Sequence, residues 1–245
     1  MGMGRCILFT SVVMLAAAAH ARAGDERRIA VFVALCDNAS QGIQPVPAKI
    51  GDGDVPAANL YWGCSDGASS LFKRSAKWKL IKTEREGLEP VLERLTFRHA
   101  SKPCTLVAHA YRGREIERCI ADFFKSVAAR EANLVCYVGH NGLMEFDTEP
   151  PVKLKREGDV DVIALCCASA GYFKEPLAKL GARPVLLTQQ LMYPGAFVIH
   201  DVAEKWLSGG DRKSFRAAAG RAMAKNQKIS VRAATGIFAP VEKLD

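Results

Sequence analysis

The sequence predicts an α/β protein built as a three-layer sandwich, with a mostly parallel central sheet and helices on both of its faces. Several short apolar runs lack polar alternation, which is typical of strands that are buried on both faces. Segments with an apolar stripe at helical spacing lie between these runs, and such alternation of strand and helix favours parallel pairing. The chain has 245 residues, of which 49% are hydrophobic, and this is enough for one large core. We therefore expect a single domain over residues 24–245.

The first 23 residues have the pattern of an export signal. Arg5 precedes an apolar run over residues 6–19, and the small-residue pattern Ala21-Arg22-Ala23 offers a cleavage site. The run is too short for a secure transmembrane helix, which needs about 18 apolar residues or more. We expect residues 1–23 to be removed and the mature protein to be secreted or periplasmic, without stable membrane insertion. An uncleaved anchor is the alternative.

The first predicted strand covers residues 29–38. Its apolar run is unbroken from Ile29 to Leu35, so we expect an internal strand, which ends in the polar residues Asp37 and Asn38. Residues 39–66 are rich in Gly, Pro and Asp, and so long a loop inside a compact domain is more often functional than idle. After it we expect a short helix at residues 68–72, a strand at 78–83, a helix through Leu88, Val91, Leu92 and Leu95, and a strand at 104–111.

The second half of the chain begins with its clearest helix. An apolar stripe within residues 114–130 is formed by Ile116, Cys119, Ile120, Phe123, Phe124 and Val127. Two apolar strands follow at residues 133–139 and 160–167, and we expect residues 160–165 to be internal in the sheet. Further on we expect a helix at residues 172–180, a strand at 184–188, and helices at 194–207 and from the capping residue Asp211 to about Lys225.

Composition and motifs argue against several classes of function. The net charge is +8, but the cations are scattered along the chain, so we expect no nucleic-acid partner. No P-loop, G-x-G-x-x-G or G-x-S-x-G motif occurs where a strand leads into a helix, which disfavours nucleotide enzymes and serine hydrolases. Asp52, Asp54 and Asp66 lack the spacing of a calcium-binding loop and are typical of a solvated loop. We expect no metal and no cofactor.

The cysteine count indicates at least one free thiol. The chain has eight cysteines, and removal of the leader with Cys6 leaves an odd number in an oxidising compartment. A reactive thiol is one explanation. The alternative is that cysteines in apolar patterns, such as Cys119 and Cys136, act as small core residues.

Two strands in the middle of the chain end in residues that can carry chemistry. His140 follows the strand at residues 133–139, and Cys166 and Cys167 end the strand at 160–167. Ligands of open parallel sheets bind outside the carboxyl ends of the strands, so we expect a histidine and a cysteine to face one crevice. A thiol attacks a carbonyl group as thiolate, and a nearby imidazole can serve as its base. The alternative is that His140 caps a turn and that the cysteines are core thiols or half of a disulfide.

Three further residues complete the predicted site. Gly142 lies close behind His140, and its amide is a candidate donor to an oxyanion, unless the glycine only shapes a turn. Asp37 and Asn38 end the first strand and are candidates for substrate binding. A carboxylate at Asp37 would suit a basic substrate group, and a turn cap is the alternative.

The order of these features resembles the caspase-like cysteine peptidases of clan CD, which include caspases, legumains, gingipains and clostripain. The segment AYRGREIERCIADFFKSVAAREANLVCYVGHNG has a strand end, an amphipathic helix, a strand and a histidine in the order that leads to the catalytic histidine of that family. Cys167-Ala168-Ser169 is similar to the legumain pattern of Cys, any residue, Ser. The resemblance spans residues 29–188 and implies that His140 is the catalytic histidine and Cys167 the nucleophile. Cys166 would then point into the core, and Asn141 stands where the family has glycine directly after the histidine.

Three functions fit these observations. The first is a secreted cysteine peptidase that acts on a peptide or protein substrate. The second is a caspase-like fold without catalysis, which acts as a binding module in the periplasm or at the cell surface. The third is another α/β hydrolase or transferase that uses the same thiol. Turnover of peptide amides separates the first from the third, and the second predicts no turnover.

Overall fold

The computed structural model describes residues 26–148, 150–151 and 159–244. The predicted export signal at residues 1–23 lies outside this part of the chain. Within it, no helix combines the length and apolar character that crossing a bilayer requires.

A seven-stranded sheet forms the centre of the molecule. Its strands are β1 (Arg27–Ala34), β2 (Trp78–Glu84), β3 (Val91–His99), β4 (Cys104–Tyr111), β5 (Leu134–Val138), β6 (Asp161–Leu165) and β7 (Arg183–Leu187). The spatial order is β2-β3-β4-β1-β5-β6-β7, in which β3 is antiparallel to both of its neighbours and the five strands from β4 to β7 are parallel. The prediction of a mostly parallel central sheet is confirmed.

Helices lie on both faces of this sheet. They are α1 (Ala68–Arg74), α2 (Ile116–Ala129), α3 (Ser169–Tyr172), α4 (Lys174–Lys179), α5 (Phe197–Leu207), α6 (Arg212–Gln227) and α7 (Val231–Gly236). One core cluster joins α1, α5 and α6 to one face of the sheet through side chains such as Phe72, Val202 and Phe215. A second cluster joins α2 and α4 to the opposite face through Phe123 and Leu177. This arrangement is compatible with the predicted three layers.

The two apolar runs, residues 29–35 and 160–165, that predict internal strands do form strands inside the sheet. β1 pairs with β4 and β5, and β6 pairs with β5 and β7. Every residue of β5 and β6 is buried. Because successive residues of a strand point to opposite faces, Leu165 belongs to the cluster of α5 and Cys166 to the cluster of α2.

The predicted helix through Leu88, Val91, Leu92 and Leu95 is wrong, because the structure has strand β3 over Val91–His99. Every second residue from Val91 to His99 is buried, which is the period of a strand with one covered face. Leu88 lies before the strand, so its helical spacing to Val91 is a coincidence. Pairing with both β2 and β4 decides the conformation, since a short apolar run is compatible with either period.

Candidate thiol site at the carboxyl edge of the sheet

The predicted site residues follow the carboxyl ends of β1, β5 and β6. The chain leaves β1 towards β4 and leaves β5 towards β6, so the order of the strands reverses between β1 and β5. Loops diverge at such a reversal and leave a crevice, which is the usual ligand site of an open α/β sheet. Asp37 and Asn38 lie on one side of the reversal, and His140 and Cys167 lie on the other.

The register of β5 and β6 places the backbone of His140 and that of Cys167 at corresponding positions beyond two neighbouring strands. Leu134 pairs with Asp161 and Val138 with Leu165, and both pairs have the same separation in sequence as His140 and Cys167. The ladder continues past its last pair, because the amide of Gly139 donates to the Leu165 carbonyl at 3.3 Å. His140 and Cys167 therefore lie the same number of residues beyond the last paired residues of β5 and β6.

Asn141 ties the two strand ends together. Its Nδ2 donates to the Cys167 carbonyl at 2.7 Å, and the residue is fully buried. Its Oδ1 has no hydrogen-bond partner among the described residues. The residue that separates His140 from Gly142 in the sequence thus fixes the backbone of Cys167.

The two adjacent cysteines lie in different environments. Cys166 is fully buried, as predicted, and this burial raises the pKa of its thiol well above the usual value, so the thiol stays protonated. Cys167 is partly exposed, and its Sγ lies 3.8 Å from the Met192 carbonyl. A nucleophile must reach both solvent and substrate, so Cys167 is the better candidate.

A strained turn follows Cys167. Ala168 has φ 49° and ψ 34°, the left-handed conformation, which a residue with a Cβ rarely adopts. Its amide donates to the Gln190 carbonyl at 3.0 Å, and α3 begins at the next residue. Strain of this kind concentrates at functional sites, where the surrounding structure holds it in place. The turn leaves Cys167 at the point where the strand ends and the helix begins.

Two buried hydroxyl groups hold this turn. Ser169 Oγ donates to the Ala164 carbonyl at 2.8 Å and accepts from the amide of Thr188 at 2.8 Å. The amide of Ser169 in turn donates to Thr188 Oγ1 at 3.0 Å. The start of α3 is thereby fixed to β6 and to the end of β7, and the position of Cys167 with it.

His140 is held by a carboxylate that the sequence analysis does not single out. Its Nε2 lies 2.7 Å from Glu145 Oε1, and its side chain is only 9% exposed. The same carboxylate oxygen accepts from the amide of Gly42 at 2.7 Å, and the His140 carbonyl accepts from the hydroxyl of Tyr137 at 2.7 Å. With Nε2 facing Glu145, Nδ1 is the nitrogen that remains for proton transfer. The signal in the sequence was an acidic residue in the loop that follows the histidine.

Gly142 is buried in the turn after His140. Its amide donates to the His140 carbonyl at 3.2 Å, and a Cβ at this position would come within 2.5 Å of the Phe146 ring. Glycine is therefore required here for close packing. The predicted oxyanion role stays a prediction, and it would require the amide to exchange the His140 carbonyl for the substrate oxygen.

Asp37 and Asn38 organise the long loop after β1. Asp37 Oδ1 accepts from the amide of Ala39 at 3.1 Å, and Oδ2 accepts from Ser40 Oγ at 2.5 Å. The side-chain amide of Asn38 donates to the Val46 carbonyl at 2.7 Å and accepts from the Val46 amide at 3.0 Å. These contacts are those of turn-forming side chains. The predicted substrate-binding role of both residues stays a prediction.

Tyr61 is a second residue that the sequence analysis does not assign to the site. Its hydroxyl forms a hydrogen bond with the Cys36 thiol and interacts electrostatically with Cys167. Burial raises the pKa of Tyr61 far above its usual range, so the hydroxyl keeps its proton. Burial also raises the pKa of Cys36 to about 11. The Tyr61 hydroxyl therefore keeps its proton and contacts the Cys36 thiol just after β1.

An exposed apolar side chain stands beside the thiol. Leu191 is 75% exposed, although both of its neighbours contact the Cys167 region. The Gln190 carbonyl accepts from the Ala168 amide, and the Met192 carbonyl lies near Cys167 Sγ. Met144 and Tyr172, which lie just after β5 and β6, are also exposed. These apolar side chains offer a surface to a ligand at the carboxyl edge of the sheet.

The arrangement can support nucleophilic catalysis. A partly exposed thiol and a histidine that contacts a carboxylate follow the ends of two neighbouring strands. In the described part of the chain, no three His, Cys, Asp or Glu side chains are grouped as metal ligands. Comparison with known proteins finds no matching family model, no matching curated protein and no matching solved structure.

Proposed function

We propose that this chain is an exported, caspase-like cysteine peptidase in which Cys167 is the nucleophile and His140 the general base. The register of β5 and β6, two neighbouring strands that are followed by His140 and Cys167 at the carboxyl edge of the sheet, is the observation that supports the proposal. The buried state of Cys166 and the carboxylate contact of His140 support the same assignment. The substrate is a peptide or protein.

The proposed reaction proceeds by acyl transfer. His140 Nδ1 takes the proton of Cys167 Sγ, and the thiolate attacks the carbonyl carbon of the scissile amide. The negative charge that develops on the carbonyl oxygen is stabilised by a donor, for which the Gly142 amide is the candidate. The imidazolium then protonates the leaving amine. A water molecule, deprotonated by His140, hydrolyses the thioester and restores the thiol.

Glu145 assists this reaction through His140. It contacts Nε2, which restricts rotation of the ring, and its charge stabilises the imidazolium that forms as the proton leaves Cys167. Glu145 is thus a positioning residue in the proposed mechanism.

Two measurements test the proposal. The first is hydrolysis of a peptide-amide library, and the second is alkylation by iodoacetamide with the modified cysteine located by peptide mapping. We expect Cys167→Ala to abolish both hydrolysis and labelling at this site, and His140→Ala to lower both rates by at least about a hundredfold. Cys64→Ala is the matched control, because Cys64 is the other cysteine with partial exposure among the described residues.

The outcomes separate the three functions. Cys166→Ala is expected to keep the activity and to lower stability by about 1 kcal/mol, since it opens a small cavity. Loss of activity from Cys166→Ala alone would move the nucleophile by one residue. Labelling at Cys167 without turnover of any peptide favours another thiol hydrolase or transferase. A folded protein with neither labelling nor turnover contradicts catalysis and favours a binding module.

A further inference from the structure

A groove of about 430 Å³ lies on the face of the sheet that carries α2. α2 packs against β1 and β5, whereas the side chains of β4 that point to this face, including Val107 and His109, are only half-buried. The groove is separate from the candidate thiol site, because neither Cys167 nor His140 nor any of their hydrogen-bond partners in the described part of the chain lines it. Nothing in the proposed peptidase reaction uses it.

Aromatic rings form much of the floor of this groove. The rings of Phe32 and His109 stack at 5.2 Å with an angle of 13° between their planes, and the ring of Tyr111 lies 6.1 Å from Phe32. The faces of this pair cover each other, so a planar apolar group would pack against the ring edges, an arrangement that aromatic rings favour. The volume is in the range of small-molecule sites, about 300 to 1,000 Å³.

A buried hydroxyl group without a partner lines the same groove. Ser126, in α2, is 2% exposed, and its Oγ has no hydrogen-bond partner among the described residues. A serine inside a helix commonly bonds to a carbonyl one turn earlier, and a buried hydroxyl without any partner is unfavourable. A ligand atom that accepts a hydrogen bond in the groove would satisfy Ser126.

His109 and Arg94 add further donors. Burial, followed by the charge of Arg94, lowers the pKa of His109 to about 4, so the imidazole is neutral near pH 7. Arg94 Nε donates to His109 Nδ1 at 3.3 Å, which leaves the ring proton on Nε2. The polar groups on this side of the groove are therefore mainly donors.

The charges around the groove favour an anion. Arg28, Arg94 and Lys125 line it against Asp122 and Glu131, and Arg94 Nη1 also lies 3.8 Å from Glu84 Oε1. Of the two acidic residues in the lining, Asp122 accepts hydrogen bonds from Arg118, Lys125 and the hydroxyl of Tyr111, so its charge is compensated. Glu131 follows the end of α2, three residues before the start of β5 at Leu134.

We propose that this groove binds a small aromatic carboxylate. The aromatic ring lies on the floor formed by Phe32 and His109, and the carboxylate accepts hydrogen bonds from Ser126 Oγ and the Arg94 guanidinium. The apolar floor selects the ring, and the donors with the net positive lining select the anion.

Calorimetric titration with 2-naphthoate and with the uncharged 2-naphthamide tests this proposal. We expect 2-naphthoate to bind at least tenfold more tightly than the amide. Val107→Trp, which fills the groove, should abolish binding, whereas Ile81→Trp, at an exposed position of β2 outside the groove, should not change it. Arg94→Gln should weaken binding about tenfold, and Arg98→Gln, on the same strand and the same face, should leave it unchanged.

Ser126→Ala gives a second, independent readout. We expect this variant to bind 2-naphthoate several-fold more weakly and to have an equal or higher thermal midpoint without ligand, because an unpartnered buried hydroxyl is removed. Equal affinity for the acid and the amide, binding that survives Val107→Trp, or no binding at millimolar 2-naphthoate would each overturn the proposal. If Val107→Trp does not fold, Arg94→Gln and Arg98→Gln provide the test. Equal affinity of these two variants for 2-naphthoate would overturn the proposal.

Discussion

At the scale of single residues, Glu145 determines how His140 can act. One carboxylate oxygen contacts both His140 Nε2 and the amide of Gly42, each at 2.7 Å, so it joins the histidine loop to the loop that follows β1. A histidine without such a partner can rotate, whereas this ring is held at Nε2 and keeps Nδ1 as its other nitrogen. In the proposed mechanism, the rate of proton transfer from Cys167 depends on this contact.

Substitution of Glu145 tests this dependence. Glu145→Gln keeps an acceptor for His140 but loses the charge, and Glu145→Ala loses both. We expect kcat to fall about tenfold in the first variant and about a hundredfold in the second, with KM nearly unchanged. Glu117→Gln, at an exposed position of α2, is the matched control. If Glu145→Ala were as active as the wild type, and were alkylated by iodoacetamide as fast, Glu145 would have no positioning role.

At the scale of elements, the turn from β6 into α3 sets the position of Cys167. The left-handed Ala168 reverses the backbone directly after the cysteine, and the hydroxyl groups of Ser169 and Thr188 close the turn from within the core. The strain at Ala168 persists because several buried hydrogen bonds oppose its release. A substitution that weakens this turn is therefore expected to lower the stability of the protein and to shift the Cys167 thiol at the same time.

We expect Ser169→Ala to destabilise the protein and to slow thiol chemistry together. The variant leaves the Ala164 carbonyl and the Thr188 amide without their partner in the core, which costs about 1–3 kcal/mol. Urea unfolding measures the stability, and the rate of iodoacetamide alkylation of Cys167 measures the geometry. Ser208→Ala, at an exposed serine after α5, should change the free energy of unfolding by less than about 0.5 kcal/mol. Unchanged stability and alkylation in Ser169→Ala would contradict this account of the turn.

At the scale of the whole molecule, His109 makes stability depend on pH. Its pKa is lowered to about 4 in the folded state, from about 6.5 in the unfolded chain, chiefly by burial. The unfolded state therefore binds the proton first as the pH falls, so stability is lost between about pH 6.5 and pH 4. The loss attributable to His109 is at most about 3 kcal/mol.

His109→Phe isolates this contribution. Phenylalanine can keep the stacking with Phe32 but cannot bind a proton. Urea unfolding at pH 7.5 and at pH 4.5 should show a smaller difference in the free energy of unfolding for the variant than for the wild type, by about 1–3 kcal/mol. Carboxylates with a lowered pKa, such as Asp122, lose their contribution at lower pH in both proteins. Identical pH dependence of the two proteins would show that His109 titrates normally.

The sequence by itself determined the mostly parallel sheet, apart from β3, and the principal helix on one of its faces. Unbroken apolar runs identified β1, β5 and β6 as internal strands, because a strand that is buried on both faces needs apolar residues at successive positions. The apolar stripe from Ile116 to Val127 identified α2, because a helix that is buried on one side needs apolar residues at helical spacing. The same reasoning separated buried Cys166 from Cys167 through the alternation of a strand.

Tertiary structure alone decided the conformation of residues 91–99 and the partners of the site residues. The apolar residues of this segment are compatible with both helical spacing and the alternation of a strand, and only pairing with β2 and β4 selects the strand. The contacts of His140 with Glu145, of Asn141 with the Cys167 carbonyl, and of Tyr61 with Cys36 are side-chain hydrogen bonds set by loop geometry. Apolar patterns do not encode such contacts, since a hydrogen bond depends on distances of a few tenths of an ångström that arise only when loops from different strands meet.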